Sequence, residues 1–169
     1  RVLHDGLSEA VKYGCIKDAA LFSLFEALTG DGAVSQHFEE IIYRCCSIKA
    51  RLVEEDERDT GARMLLNFGH TMGHAIERHY KYGTYTHGEG VAIGMALLTA
   101  RTEALGLTEA GTAERIRQVL QKLDLPVAVD VPTEELLRHI GQDKKKRGHH
   151  ITLVVLERIG EGRLLPIDT

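Results

Sequence analysis

The chain has no tryptophan, no long apolar run and no excess of basic charge. Aromatic residues make up 5% of its 169 positions and the formal net charge is −4. No basic stripe with interleaved aromatics occurs, which argues against nucleic acid as a partner. No hydrophobic run approaches the roughly 20 residues of a spanning helix, which argues against a membrane. No signal peptide opens the chain. Cys15, Cys45 and Cys46 are odd in number and lack Cys-x-x-Cys spacing; they read as reduced packing thiols of a cytoplasmic protein. No Gly-x-Gly-x-x-Gly follows a strand pattern and no strand–helix alternation appears, so a dinucleotide-binding domain is missing. Internal repeats and low-complexity segments are absent too. Arg1 does not read as a natural start, and the expectation is that the chain begins inside a longer protein.

What is present is enough for one domain over residues 1–169. At 43% hydrophobic the chain can bury a real core, and its periodicity is mostly helical. Leu7, Ala10, Val11 and Gly14 to Ile16 form a first apolar stripe. Asp18 caps a second helix running to Leu28, broken by Thr29-Gly30-Asp31-Gly32. Ser35 to about Glu55 reads as an amphipathic helix burying Phe38, Ile41, Ile42, Cys45, Ile48 and Leu52. A charged loop, 56–61, precedes a helix from about Asn67 to His79. After an aromatic, glycine-containing turn, His87 to Leu105 reads as a buried helix ended by Gly106. Thr108 starts another, to about Leu123. Pro126 and Pro132 bracket an extended linker, and a short helix runs to Ile140. Only Ile151 to Glu157 reads as a strand, paired with Arg163 to Ile167 across Gly160-Glu161-Gly162. The fold class is mainly α, with a β-hairpin near the C-terminus.

The chemistry concentrates in Asn67-Phe68-Gly69-His70-Thr71-Met72-Gly73-His74-Ala75-Ile76-Glu77. His70 and His74 lie one helical turn apart and share a face. Gly69 and Gly73 each precede a histidine, at a cost of about 1 kcal/mol apiece in a helix, so a backbone or a ligand approaches closely there. Two readings stay open: a metal-ligand pair, or a tight helix crossing with a polar histidine in it. His87 follows in His87-Gly88-Glu89, and Gly88 leaves room beside it. Glu9 and Lys12 lie one turn apart near the start. Imidazoles, a carboxylate and amines are the parts of a metal site that handles an anionic, oxygen-rich substrate.

Four segments in order resemble the 3-dehydroquinate synthases. They are Gly6-Leu7-Ser8-Glu9-Ala10-Val11-Lys12-Tyr13-Gly14, then Leu65 to Glu77, then His87-Gly88-Glu89 with Val91-Ala92-Ile93-Gly94-Met95, and last Asp143-Lys144-Lys145 with Gly148. Departures are small: Ser8 for alanine, Ala10 for valine and Gly90 for alanine. The resemblance covers nearly all of this chain but only about the C-terminal half of that enzyme. It implies a multi-helix metal- and substrate-binding domain whose NAD-binding partner domain lies N-terminal to Arg1. It implies Zn2+ or Co2+ on Glu9, His70 and His87, in place of the simple His70/His74 pair. His74 then faces the substrate and its phosphate. His74, Lys12 and Asn67 are the implied catalytic residues; Lys49, Arg63, Asn67, His74, Lys144 and Lys145 are implied for substrate binding. Asn67 also reads as a helix N-cap, and Asp143 to Gly148 as either a basic turn or a mobile loop closing over the phosphate.

The implied reaction converts 3-deoxy-D-arabino-heptulosonate 7-phosphate to 3-dehydroquinate and phosphate in the shikimate route, with NAD used and regenerated by a homodimeric enzyme. Two alternatives are a sister cyclase making an inosose or a valiolone, and a bare domain that binds metal without catalysis. Inosose synthases tend to carry glutamate where His74 stands, so His74 favours dehydroquinate synthesis. The iron-type alcohol and glycerol dehydrogenases share the two-domain architecture but lack this Glu-x-x-Lys and His-Thr-x-Gly-His pattern.

Overall fold

The opening apolar stripe forms helix α1, Val2–Lys17, in the computed structural model. Residues 1–29, 31–57, 61–147 and 150–168 are described, with side chains at all of these but 31, 32, 141–147, 150 and 168. Leu7, Ala10, Val11, Cys15 and Ile16 are the buried face of α1. Asp18 separates it from α2, Ala19–Ala27, and accepts the Leu21 N–H at 3.0 Å. That bond satisfies one of the donors a first helical turn leaves open. Arg44 holds the same carboxylate at 2.9 Å.

A short helix α3, Asp31–Ser35, stands where a plain break was expected. The long amphipathic helix α4 spans Phe38–Asp56 rather than starting at Ser35. Ile41, Ile48 and Leu52 are buried as expected, but Ile42 is 60% exposed. At 100° per residue Ile42 is turned away from the stripe that Ile41, Ile48 and Leu52 share. Cys15 is buried and Cys45 half-buried, whereas Cys46 is exposed rather than a core thiol.

A 3-10 helix, Ala62–Asn67, precedes α5, His70–His79. The expected helix from Asn67 therefore begins three residues late. Gly69 is the reason: its φ of 77° is left-handed and cannot continue a right-handed helix. Gly69, not Asn67, is the N-cap residue. Helix α6, His87–Ala104, opens with a capping box in which Thr86 accepts from Glu89 N–H and Glu89 reaches back to Thr86 N–H. Helix α7, Thr112–Lys122, starts one turn later than expected, because Gly111 takes a left-handed φ of 91° that a right-handed helix cannot include, and the Glu103 carboxylate accepts from Gly111 and Ala113 N–H. Helix α8, Thr133–Arg147, runs two turns past Ile140. The backbone of Asp143, Lys144 and Lys145 is thus helical rather than a loop; their side chains, and Gly148, lie outside the description.

Strands β1, His150–Arg158, and β2, Glu161–Asp168, form an antiparallel hairpin with Val154 opposite Leu164. The hairpin docks on the end of α1, where Gly160 N–H donates to Cys15 C=O at 2.8 Å. The main core gathers Phe22, Phe25, Phe68, Leu120 and Leu156, and a smaller one joins Met72, Ile76, Ile93 and Leu136 across α5, α6 and α8. Among the described residues no helix is long and apolar enough to cross a membrane.

Candidate functional site

Glycines set how closely α5 and α6 cross. A Cβ on Gly94 would stand 2.2 Å from Gly69 C=O, and one on Gly73 would stand 3.1 Å from Gly90 C=O. The tight-crossing reading of the glycines is therefore correct, and it is what carries His70 and His74 to His87. Gly88 serves a different contact from the one expected. A Cβ there would meet Asp5 Cα at 2.4 Å, so the missing side chain admits α1, not a ligand beside His87. The Ser8 hydroxyl donates to Gly88 C=O at 2.7 Å, and the Thr86 hydroxyl bonds the Asp5 carboxylate. These contacts bring Glu9, on α1, opposite the two imidazoles.

The imidazole centroids of His70, His74 and His87 lie 5.1 to 5.9 Å apart. His70 Nδ1 stands 3.1 Å from Phe68 C=O, which can only accept, so Nδ1 carries the proton. His87 Nδ1 faces the Glu77 carboxylate at 3.4 Å and is a donor for the same reason. In neutral imidazoles both Nε2 atoms then present lone pairs. Those lone pairs face Glu9 Oε1, at 3.4 Å from His70 and 3.7 Å from His87. Glu9 Oε1 is buried and has no hydrogen-bond partner. Two lone pairs and an anionic oxygen around one point repel unless a cation or a proton lies between them.

Ligands 2.0 to 2.2 Å from one zinc ion at tetrahedral angles stand about 3.3–3.6 Å apart. The separations here are close to that, and a site of three protein ligands leaves a position open. Each histidine also has the outer partner a ligand needs to hold its tautomer, Phe68 C=O or the Glu77 carboxylate. The residues present therefore fit a divalent ion.

Lys12 is 4% exposed and pairs with Glu9 Oε2, on the oxygen the histidines do not use. Burial pushes the Glu9 carboxyl up, but His70, when protonated, and the Lys12 ammonium outweigh it and hold it at about 2. Glu9 is thus an anion at neutral pH. His74 bonds Glu77 through Nδ1 at 3.1 Å and is exposed at the rim, leaving Nε2 open to solvent.

The structure brings together Glu9, Lys12, His70, His74 and His87 and leaves Lys49, Arg63 and Asn67 outside the cluster. Lys49 on α4, and Arg63 and Asn67 on the 3-10 helix, are exposed. Among the described residues no hydrogen bond or ion pair joins them to the imidazoles. Lys144 and Lys145 lie on α8, their side chains outside the description. Sequence reasoning missed Glu77, whose Oε2 faces both His74 and His87. Its spacing of three from His74 was the available signal.

Residues 6–146 match the family described as 3-dehydroquinate synthase C-terminal. A 3-dehydroquinate synthase of Clostridium kluyveri is 46% identical over 164 residues, covering 96% of this chain and 46% of that protein. One of Clostridium perfringens is 47% identical over 163 residues, covering 96% and 47%. A solved 2-epi-5-epi-valiolone synthase of Streptomyces hygroscopicus, with NAD+ and Zn2+ bound, superposes with a TM-score of 0.80 at 24% identity, over 99% of this chain and 48% of that one. A 2-deoxy-scyllo-inosose synthase with carbaglucose-6-phosphate, NAD+ and Co2+ gives 0.73 at 23% identity, over 98% and 49%. At such identities the two structures establish the shared fold alone. The chain spans about half the length of the relatives it matches.

Proposed function

The chain belongs to the 3-dehydroquinate synthase C-terminal family, and from that premise we propose that it is the metal- and substrate-binding half of such an enzyme. The whole protein would convert 3-deoxy-D-arabino-heptulosonate 7-phosphate to 3-dehydroquinate and phosphate. The observation that carries this reading is the orphaned Glu9 Oε1 facing the lone pairs of His70 and His87. Relatives near 46% identity are named 3-dehydroquinate synthase, whereas the two solved cyclases of other products described above stand at 24% and 23%.

Glu9, His70 and His87 would hold Zn2+ or Co2+, which when bound polarises substrate hydroxyls and lowers their pKa. A domain N-terminal to these residues would hold most of NAD, which would supply hydride acceptance and return. The residues of this chain then bind and orient. Lys12 keeps Glu9 ionised and, with one of its three N–H donors on Glu9, offers two to substrate oxygens. Glu77 fixes the tautomers of His74 and His87. His74, with Nε2 open to solvent, is placed to bind the phosphate. Lys49, Arg63, Asn67, Lys144 and Lys145, the remaining polar residues implied for binding, would supply donors to the substrate carboxylate and phosphate. Catalysis here is mainly positioning and charge stabilisation.

The test compares the full-length protein with this chain alone, each given metal, NAD and substrate, by phosphate release. The full-length protein should turn over only with metal, and the isolated chain should fold yet release none. Metal-dependent release by the isolated chain at the full-length rate would overturn the division of labour. A full-length protein that makes no dehydroquinate would overturn the reaction.

A further inference from the structure

A second set of ligand-type side chains lies away from the Glu9 cluster, where the end of α5 meets the first half of α8. His79 is the last residue of α5. Glu135 and His139 stand one turn apart on α8 and project from one face. His79 Nδ1 is 3.3 Å from His139 Nε2 and 3.8 Å from Glu135 Oε1. One ligand atom from each lies within 4.8 Å of the other two. None of the three belongs to the residues assigned above to substrate or metal. We propose that His79, Glu135 and His139 form a second divalent-cation site, suited to a borderline ion such as Zn2+ and completed by water.

The geometry favours an ion over a hydrogen-bonded trio. The 3.3 Å separation of the two nitrogens matches the edge of a tetrahedral zinc site, about 3.3 Å for nitrogens at 2.0 to 2.1 Å. A hydrogen bond across that gap would join the imidazoles alone and leave the half-exposed Glu135 carboxylate to solvent, because 3.8 Å is beyond hydrogen-bonding reach. One cation satisfies both imidazoles and the carboxylate. All three residues are half-buried, so water can complete the shell. The Tyr80 ring meets His79 edge-on at a centroid distance of 4.9 Å, which fixes the imidazole plane.

The site also has a mechanical consequence. His79 and His139 are 60 residues apart in the chain, so a shared ion cross-links α5 to α8. Without it, α8 is anchored through Leu136, buried against the small cluster of Met72, Ile76 and Ile93. The same helix continues to Arg147 and carries the backbone of Lys144 and Lys145. A cation here is a structural strut for the helix that bears the expected phosphate-binding lysines.

The test is equilibrium dialysis of the full-length protein against Zn2+, with bound zinc counted per chain by elemental analysis. The deciding comparison is His139→Gln against the unsubstituted protein; His87→Ala reports separately on the Glu9 cluster. His139→Gln should bind one ion fewer per chain, whatever His87→Ala does. If both sites exist, the unsubstituted protein binds two ions, each single variant one, and the double variant none. Glu135→Gln should repeat the loss or weaken the site at least tenfold, which covers a His139→Gln protein whose far-UV circular dichroism shows misfolding. Zinc stoichiometry and affinity both unchanged in a folded His139→Gln or Glu135→Gln protein overturn the proposal and leave only a His79–His139 hydrogen bond in the unsubstituted protein.

Discussion

Gly94→Ala is the substitution that most directly probes how the site is assembled. Gly94 sits in the middle of α6, where alanine would ordinarily stabilise the helix by about 1 kcal/mol. Its added Cβ would stand 2.2 Å from Gly69 C=O and 3.1 Å from Gly73 N. A relaxed contact is roughly 3.5 Å, so α5 and α6 must part by on the order of 1 Å. The obstructing atoms are backbone, with no rotamer to yield. Overpacking of this kind costs typically 1–3 kcal/mol, and this contact belongs at the upper end. Set against the alanine gain, the net loss is about 2 kcal/mol. The same shift draws His70 away from Glu9 and His87, so His87-dependent zinc binding falls with stability. Gly6→Ala is the control: Gly6 is exposed on α1 with nothing within 4 Å of its Cβ position, and it should gain about 0.5–1 kcal/mol. Urea unfolding of the chain followed by circular dichroism reads both. A Gly94→Ala chain as stable as Gly6→Ala would refute the close crossing, and with it the account of how the histidines are gathered.

Glu77→Gln keeps one acceptor but loses the charge that His74 and His87 share, so the His87-dependent ion should bind about 10–100-fold more weakly; unchanged zinc affinity would show that Glu77 does not orient His87. Arg63→Lys keeps charge and loses the planar fork, so the full-length enzyme should lose about 1.5–3 kcal/mol of transition-state stabilisation, read from kcat/KM; unaltered kinetics would show that Arg63 does not hold the substrate carboxylate. Asp18→Ala should cost about 1 kcal/mol through loss of the α2 cap. Burial raises the Asp18 carboxyl, but Leu21 N–H and Arg44 outweigh it and lower the pKa. Its stabilisation is therefore present above the unfolded value of about 3.9 and lost as pH falls through the lower folded value. The stability gap between the unsubstituted chain and Asp18→Asn should close in acid, and a gap independent of pH would contradict the charge contribution.

Local signals in the sequence were reliable where the local interaction is also the final one. Asp18 caps α2 through its own side chain, and the hairpin follows from its own alternation and the Gly160 turn. Tertiary contacts decided the rest. Thr108 looked like a helix start, but the left-handed Gly111 delays the helix and Glu103, from the end of α6, takes the free N–H groups of its first turn. Ile42 belongs to an apolar run, but the face of α4 that contacts the core excludes it. The i,i+4 histidines and the glycines beside them were visible, yet spacing alone could not decide between a ligand pair and a helix crossing. The crossing is present, and it makes His70, with His87 and Glu9, the set that surrounds an orphaned oxygen. Glu77 was hidden because a glutamate beside a histidine on a helix is commonplace; only the approach of α6 gives it a second imidazole.

The most direct test of the central claim is an anomalous difference map at the zinc edge from crystals of the full-length protein loaded with Zn2+. A peak about 2.0–2.2 Å from Glu9 Oε1, His70 Nε2 and His87 Nε2 is the expected result. Density bound by His70 and His74 while Glu9 remains paired only with Lys12, or no density beside Glu9 at all, would contradict it.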